Sequence, residues 1–349
     1  MRFALTPEQE AFRQTARRFL SERVRVRELI ELPGAHDPAL WVSIAELGWL
    51  GVDVPEEHGG QGLSFVETAL LAEEAGRALL PGPFLGTLCA VQALIVGGSD
   101  EQRSTWLPTL AGGRAIVAAA MRRGTMRVVR NRVRGEEAAV ACAEVADHVV
   151  FAADTPEGRT TLLVRSKEVS IEPAGGADLT RPIARVRFDG SKIEERFAPA
   201  GLGALRDRAR VLVAADAAGG AAKALEMAVA YAKEREQFDR PIGSFQAVKH
   251  RAADAWRAVE AARLAVWYAA WAIANGADDA TIAASAAKAI ACEAFVKAAA
   301  DSIQIHGGIG FTWEHDAHLY YRRALADQTM LGDSASHRDA LAAEVFARA

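Results

Sequence analysis

The sequence predicts an α+β chain in three parts. Apolar residues recur at helical spacing up to about residue 118. Short β-type runs then fill about 119–198, and long alanine-rich amphipathic stretches occupy the rest. These changes of period predict a helical N-terminal domain over 1–118, a reduced antiparallel β domain over 119–198 and a C-terminal four-helix bundle over 199–349.

The first helix is announced by Thr6, Pro7 and Gln9, a capping box with proline in the first turn, ahead of Phe12, Ala16, Phe19 and Leu20. Asp37 and Pro38 repeat the start signal for Leu40, Trp41, Ile44 and Leu47, and Gly48 stops that helix. Ser64 with Glu67, and Ser99 with Gln102, mark two more starts, with Pro81 and Pro83 between them. In the middle part the runs 138–142, 148–153, 160–165 and 182–188 read as antiparallel strands broken by Gly, Pro, Asp or Glu. No run there leads into a long crossover helix, which disfavours a dinucleotide-binding βαβ unit. Three long helices are expected at about 204–235, 244–274 and 279–305, with a shorter one after them.

Composition narrows the function. Lys and Arg total 41 against 45 Asp and Glu, a formal charge of -4, which argues against a nucleic-acid binder held by charge. Cys89, Cys142 and Cys292 are scattered, so neither a disulfide framework nor a structural zinc site is expected. The opening MRFALTPEQEAF lacks a signal-peptide pattern and no stretch resembles a membrane span, so a cytoplasmic protein is expected. No GxSxG, Walker or GxGxxG pattern is present.

Several residues have the chemistry to bind or react. Arg235, at the end of the first long helix, can grip a phosphate with its fork of donors or simply compensate the helix terminus. Gln304, Gly307 and Gly308 can let a ligand approach the backbone or form a helix stop. His306, His315 and His318 invite a metal, but the spacing is not HExxH and no metal is expected. Arg122, Arg123, Arg127, Arg130, Arg132 and Arg134 form a basic run suited to an acidic ligand or to a solvated strand face.

The blocks YAKEREQFDRPIGSFQAVKHRAAD (231–254), IQIHGGIGFTWEHDAHLYYRRA (303–324) and PEEHGGQGLS (55–64), with the Glu73–Arg77 region, closely resemble the acyl-CoA dehydrogenase family in order and over nearly the whole chain. The resemblance implies an acyl-CoA dehydrogenase-like fold and noncovalent FAD. It implies oxidation of an acyl-CoA thioester between Cα and Cβ, with a glutamate taking the Cα proton and electrons passing to an electron-transfer flavoprotein or similar acceptor. By that resemblance Arg235, Phe238, Gln246, Gln304, Gly307 and Gly308 are cofactor-binding, and Asp207 and Arg210 line the CoA channel.

Two departures qualify it. The family's two base positions hold Ala209 and Leu331, and the nearby Asp207 and Asp333 are each two residues out of register. The stretch VAAAMRRGTMRVV lacks the family's flavin-ring loop. The sequence thus resembles the base-lacking subunit of actinobacterial α2β2 heterotetramers, often linked to steroid side-chain degradation. It implies a paralogous partner that carries the glutamate. A self-sufficient homomer using Asp207, or a noncatalytic acyl-CoA-binding scaffold, remains the alternative.

Overall fold

The computed structural model describes residues 4–120 and 125–348. The helices α1 (Pro7–Arg23), α2 (Val26–Leu29), α3 (Pro38–Glu46), α4 (Phe65–Arg77), α5 (Phe84–Gly97) and α6 (Asp100–Ala111) come first. Strands β1 (Val117–Ala120), β2 (Arg127–Val129), β3 (Arg132–Ala141), β4 (His148–Thr155), β5 (Gly158–Arg165), β6 (Ser170–Ala174), β7 (Ile183–Lys192) and β8 (Glu195–Arg196) follow. The chain ends with α7 (Gly201–Glu234), β9 (Glu236–Gln237), β10 (Arg240–Pro241), α8 (Gln246–Ala274), α9 (Ala280–His306), α10 (Ala317–Thr329) and α11 (Ser334–Arg348). This is the α+β order expected from the sequence.

Local signals set the helix starts. Gln9 N donates to Thr6 Oγ1 at 3.2 Å while Thr6 N donates to Gln9 Oε1 at 3.0 Å, so two terminal amides are satisfied reciprocally. Ser99 and Gln102 repeat this at 3.2 and 3.0 Å. At Ser64 the arrangement differs. Its amide donates to Glu67 Oε2, while its hydroxyl donates to the Glu67 carboxylate and accepts from Val66 N at 3.1 Å.

The chain forms two compact units. One comprises Arg25–Thr68 and Pro81–Ala209 and contains the sheet. Its strands run β6-β7-β3-β2-β4-β5-β8, with β1 also paired to β4. The pairs β3–β7 and β4–β5 are antiparallel, as expected; β1 and β2, not anticipated as strands, pair with β4 in parallel. Alternate residues of β7 are buried, which puts Ala184, Val186 and Phe188 into a core with Val133, Val149, Phe151, Leu162 and Val164. The opposite face carries Arg127, Arg132 and Arg134 exposed, so these arginines of the basic run lie on a solvated strand face; Arg122 and Arg123 lie outside the described residues.

The other unit comprises Met1–Val24, Ala69–Leu80 and Arg210–Ala349. Its helices approach closely where side chains are smallest. A Cβ on Gly76 of α4 would fall 2.0 Å from the Asp216 carbonyl oxygen, and one on Gly219 of α7 would fall 1.7 Å from that of Glu73. Buried ion pairs fix the register around this crossing. Arg323 of α10 donates to both Asp216 oxygens at 3.0 and 3.2 Å and to the Leu80 carbonyl at 3.0 Å. Glu73 accepts from Arg263 Nε at 3.1 Å and Trp267 Nε1 at 2.9 Å, and Glu74 accepts from Arg17 through two bonds. The expected short last helix is two helices. Leu331 and Gly332, at φ 58° and 102°, break it, and Asp333 restarts it by accepting from Ser336 N at 2.8 Å.

Candidate cofactor-binding surface

The site is built where α7 ends and α8 begins. After Glu234 the backbone turns, with Ile242 N donating to the Arg235 carbonyl at 2.8 Å. Strands β9 and β10 pair as a two-residue hairpin whose tip, Phe238 and Asp239, has φ of 55° and 60°. Both positive angles match a type I′ turn, a conformation usually left to Asn and Gly. A phenylalanine there is costly for the backbone, and it is displayed: Phe238 is 86% exposed. Phe245 stands beneath the hairpin, edge-on to Phe238 at 6.1 Å, with the Arg240 guanidinium 4.2 Å over its ring. Arg235 and Gln246 are exposed on the same segment.

The second block meets the first through a small apolar cluster. Ile305 of α9 packs with Ala228 and Ala232 of α7, and with Tyr231, Ile242 and Val248. Helix α9 stops at Gly307, whose φ of 64° and ψ of -139° suit glycine alone. A Cβ on Gly307 or on Gly308 would meet nothing within 4 Å, so the backbone faces open space where a ligand can come close. Gln304 is exposed beside it. The structure thus brings Arg235, Phe238, Gln246, Gln304, Gly307 and Gly308 to one end of this unit.

Asp207 and Arg210 stand near the other end of α7. From Arg210 to the end of that helix is roughly 36 Å at 1.5 Å per residue. Arg210 Nη1 donates to Ser285 Oγ at 3.2 Å, and Asp207 is buried. Ala209 is buried and Leu331 half-buried, and neither side chain can take a proton. Asp333 is exposed, and its bond from the Ser336 amide holds its carboxyl below the usual range, as befits a helix cap.

Beside Leu331 the neighbourhood is basic. Lys288 is fully buried and donates to the Gly332 carbonyl at 3.2 Å. His337 is 2% exposed, and burial, aided by the Arg210 and Lys288 charges, pushes its pKa down to about 4. Burial pushes the Cys292 and Cys89 thiols up to about 12, so neither is a ready nucleophile.

The three histidines considered for a metal serve as packed rings. The His306 ring lies 4.6 Å from that of Tyr231 and 4.1 Å from that of His315, tilted by 31° and 46°, and His318 stands edge-on to Trp313 at 4.8 Å. Among the described residues no group of three His, Cys, Asp or Glu side chains is placed to hold a metal ion. Sequence reasoning missed Tyr231, Arg240 and Phe245 as neighbours of the site; aromatic and basic residues inside the 231–254 block were the available signal.

The sheet unit contains another buried polar group. Gln92 Nε2 donates to both Asp53 oxygens at 3.0 Å, and Arg208 Nη1 donates to Gln92 Oε1 at 2.6 Å with its guanidinium over Phe65. Burial raises the Asp53 carboxyl despite the neighbouring Arg208.

Comparison with known proteins settles the lineage. Residues 6–114 match the acyl-CoA dehydrogenase N-terminal domain and residues 204–346 match the acyl-CoA dehydrogenase C-terminal domain. The chain belongs to the acyl-CoA dehydrogenase family. It is 36% identical to the acyl-CoA dehydrogenase IpdE2 of Mycobacterium tuberculosis, over 94% of each chain. Among solved acyl-CoA dehydrogenase structures it resembles the Tcur3481–Tcur3483 steroid ACAD at TM-score 0.90 and 30% identity, covering 97% of each chain. It also resembles the ChsE4–ChsE5 complex of Mycobacterium tuberculosis at TM-score 0.91 and 27% identity, covering 99% of each. Among the described residues no helix is long and apolar enough to cross a membrane.

Proposed function

We propose that this chain is the base-lacking subunit of an FAD-dependent acyl-CoA dehydrogenase, oxidising an acyl-CoA thioester between Cα and Cβ together with a paralogous partner. One observation carries the reading: the six cofactor-motif residues sit together, exposed, at one end of the bundle unit, while both base positions carry Ala209 and Leu331. A displayed set of cofactor-motif residues, in a chain whose two base positions hold side chains that cannot take a proton, is what a shared active centre requires. The similarity to the ChsE4–ChsE5 complex supports a two-subunit assembly.

The residues present fit the adenosine diphosphate half of FAD. The guanidinium of Arg235 would bind the pyrophosphate by charge-assisted hydrogen bonds. The open backbone at Gly307 and Gly308 admits a phosphate or ribose without a side chain in the way. Phe238 offers an apolar face, and Gln246 and Gln304 offer amide donors and acceptors. When bound, FAD supplies the hydride-accepting chemistry. Asp207 and Arg210, at the far part of α7, would line the acyl-CoA channel, and the glutamate that takes the Cα proton would come from the partner. An electron-transfer flavoprotein or similar acceptor would take the electrons onward.

Co-expression with a paralogous subunit tests this reading. The expected result is a yellow complex that dehydrogenates acyl-CoA, with the chain alone inactive. An active homomer whose activity disappears in Asp207→Asn would establish the self-sufficient alternative. A complex that binds acyl-CoA but neither FAD nor turns over would establish a scaffold.

A further inference from the structure

The function proposed above leaves the basic run of the sheet unit without a role. Strands β2 and β3 pair so that Val128 lies opposite Val133, and both side chains meet the core. Side chains alternate between the two faces of a strand, so Arg127, Val129, Arg132 and Arg134 share the outer face. The register then sets like charges against each other. Arg127 stands directly opposite Arg134, and on the other side of β3 Arg132 stands directly opposite Lys192 of β7. Opposed residues have Cβ atoms about 4.5–5.5 Å apart, and like charges at that spacing destabilise a sheet. At the hairpin tip Arg130 is exposed and holds a φ of 49°, in a two-residue turn that ordinarily takes Asn and Gly.

Other arginines of the same sheet have carboxylates beside them. Arg134 pairs with Asp189 at 3.0 Å, and Arg185 and Arg187 lie 3.5 and 3.4 Å from the two oxygens of Glu136. Arg159 pairs with Asp154 at 2.9 Å and Arg196 with Glu157 at 3.3 Å. Among the described residues Arg127, Arg130, Arg132 and Lys192 pair with no carboxylate, and Arg132 donates to the Gly190 carbonyl at 3.3 Å. All four are exposed, and they adjoin one another in a chain whose formal charge is -4. We propose that the outer face of β2, β3 and β7 is a docking surface for a protein partner that presents clustered carboxylates.

The chemistry favours a protein over other anions. A nucleic acid or an anionic membrane would meet the net negative charge of the whole chain. A small phosphate is ordinarily held by polar groups converging in a cleft, whereas these cations stand exposed on a pleated face. Val129, 41% exposed, stands among them and offers an apolar contact. Arginine around an apolar contact is the composition of a protein interface. Two residues along β3 advance about 6.6 Å, so carboxylates on alternate residues of an extended segment match Arg132 and Arg134. Their arrival also relieves the repulsion across the strands, which speeds docking and makes it depend on salt.

The proposal needs neither flavin nor base, so the full chain alone tests it. The probe is a labelled peptide of alternating Glu and Thr, followed by fluorescence anisotropy. Saturable binding is expected at about 50 mM salt, weakening about tenfold by about 200 mM. Arg127→Gln combined with Arg132→Gln should cut affinity about tenfold or more. Arg185→Gln combined with Arg187→Gln removes as many charges from the same face. It should change affinity less than about twofold, since Glu136 lies between those arginines and Glu172 directly opposite Arg185. Urea unfolding separates recognition from structure. The Arg127→Gln and Arg132→Gln chain should keep or raise its midpoint, because opposed like charges are removed. No saturable binding, an equal loss in both double variants, or a lowered midpoint in the first overturns the proposal. Tighter binding of inorganic diphosphate, single-stranded DNA or anionic lipid vesicles, lost in that same variant, assigns the face to phosphate and overturns it as well.

Discussion

The hairpin end of the bundle unit and the Leu331 turn of the same unit use their polar side chains in opposite ways. At the hairpin end, polar and aromatic side chains stand exposed: Arg235, Phe238, Gln246 and Gln304. Phe238 even holds a left-handed backbone to do so. At the Leu331 turn the polar groups are taken up by the protein's own structure. Lys288 bonds the turn's own backbone, His337 is buried, and Asp333 caps a helix. Polar groups displayed to solvent at a backbone cost suit recognition. Polar groups consumed by internal bonds suit structure. One end therefore has the character of a recognition surface and the other that of a helix junction.

The largest expected effect lies in the frame that carries both ends. Arg323→Ala leaves Asp216 buried without its two guanidinium bonds, and loss of one partner of a buried pair costs about 3–5 kcal/mol. Urea unfolding should show that loss; a change under about 1 kcal/mol would mean that water or a neighbour replaces the arginine. The Leu331 turn should next reveal itself through pH. The folded-state pKa of His337, about 4, lies below the ordinary 6.5, so the unfolded chain takes up the proton first as pH falls. Stability should decline from about pH 6.5 and level off near pH 4, by at most about 3 kcal/mol. His337→Asn should flatten that slope, and an unchanged slope would place the proton uptake elsewhere.

At the hairpin end the effect falls on binding. Arg235→Ala in the co-purified complex should weaken FAD by about 2 kcal/mol or more, ~30-fold, with circular dichroism and assembly unchanged. Equal affinity would mean that the partner's equivalent arginine does this work. Smallest of all, Leu331→Ala should leave Cα-proton abstraction by the complex within about twofold of wild type, because no base is removed. A specific loss of the chemical step, with flavin content preserved, would erase the distinction between the two ends.

Local chemistry was the most legible part of this chain. Thr6 with Gln9 and Ser99 with Gln102 specify their helix starts within four residues, and the structure has both boxes. The long helices were readable because alanine-rich periodicity runs uninterrupted for many turns. Strands β1 and β2 were not, since runs of four and three residues carry no period of their own and exist through pairing with β4. The Gly76–Gly219 crossing depends on two helices meeting, which no single window contains. At the candidate surface the motif residues were visible in sequence, but the hairpin tip lacks the Asn-Gly signal that usually betrays a type I′ turn. The histidines were visible as well. Their spacing did not fit a metal site, and only the fold shows His306 packed against Tyr231 and His315.

The central claim is a division of labour: this chain presents the adenosine-side surface, and the base comes from its partner. Exchange of the acyl-CoA Cα proton with deuterated solvent tests it most directly, because that exchange needs the base but no turnover. The chain alone should give none, and the complex with a paralogous subunit carrying the glutamate should exchange readily. Exchange by the chain alone, abolished in Asp207→Asn, would contradict the claim and return the base to this polypeptide.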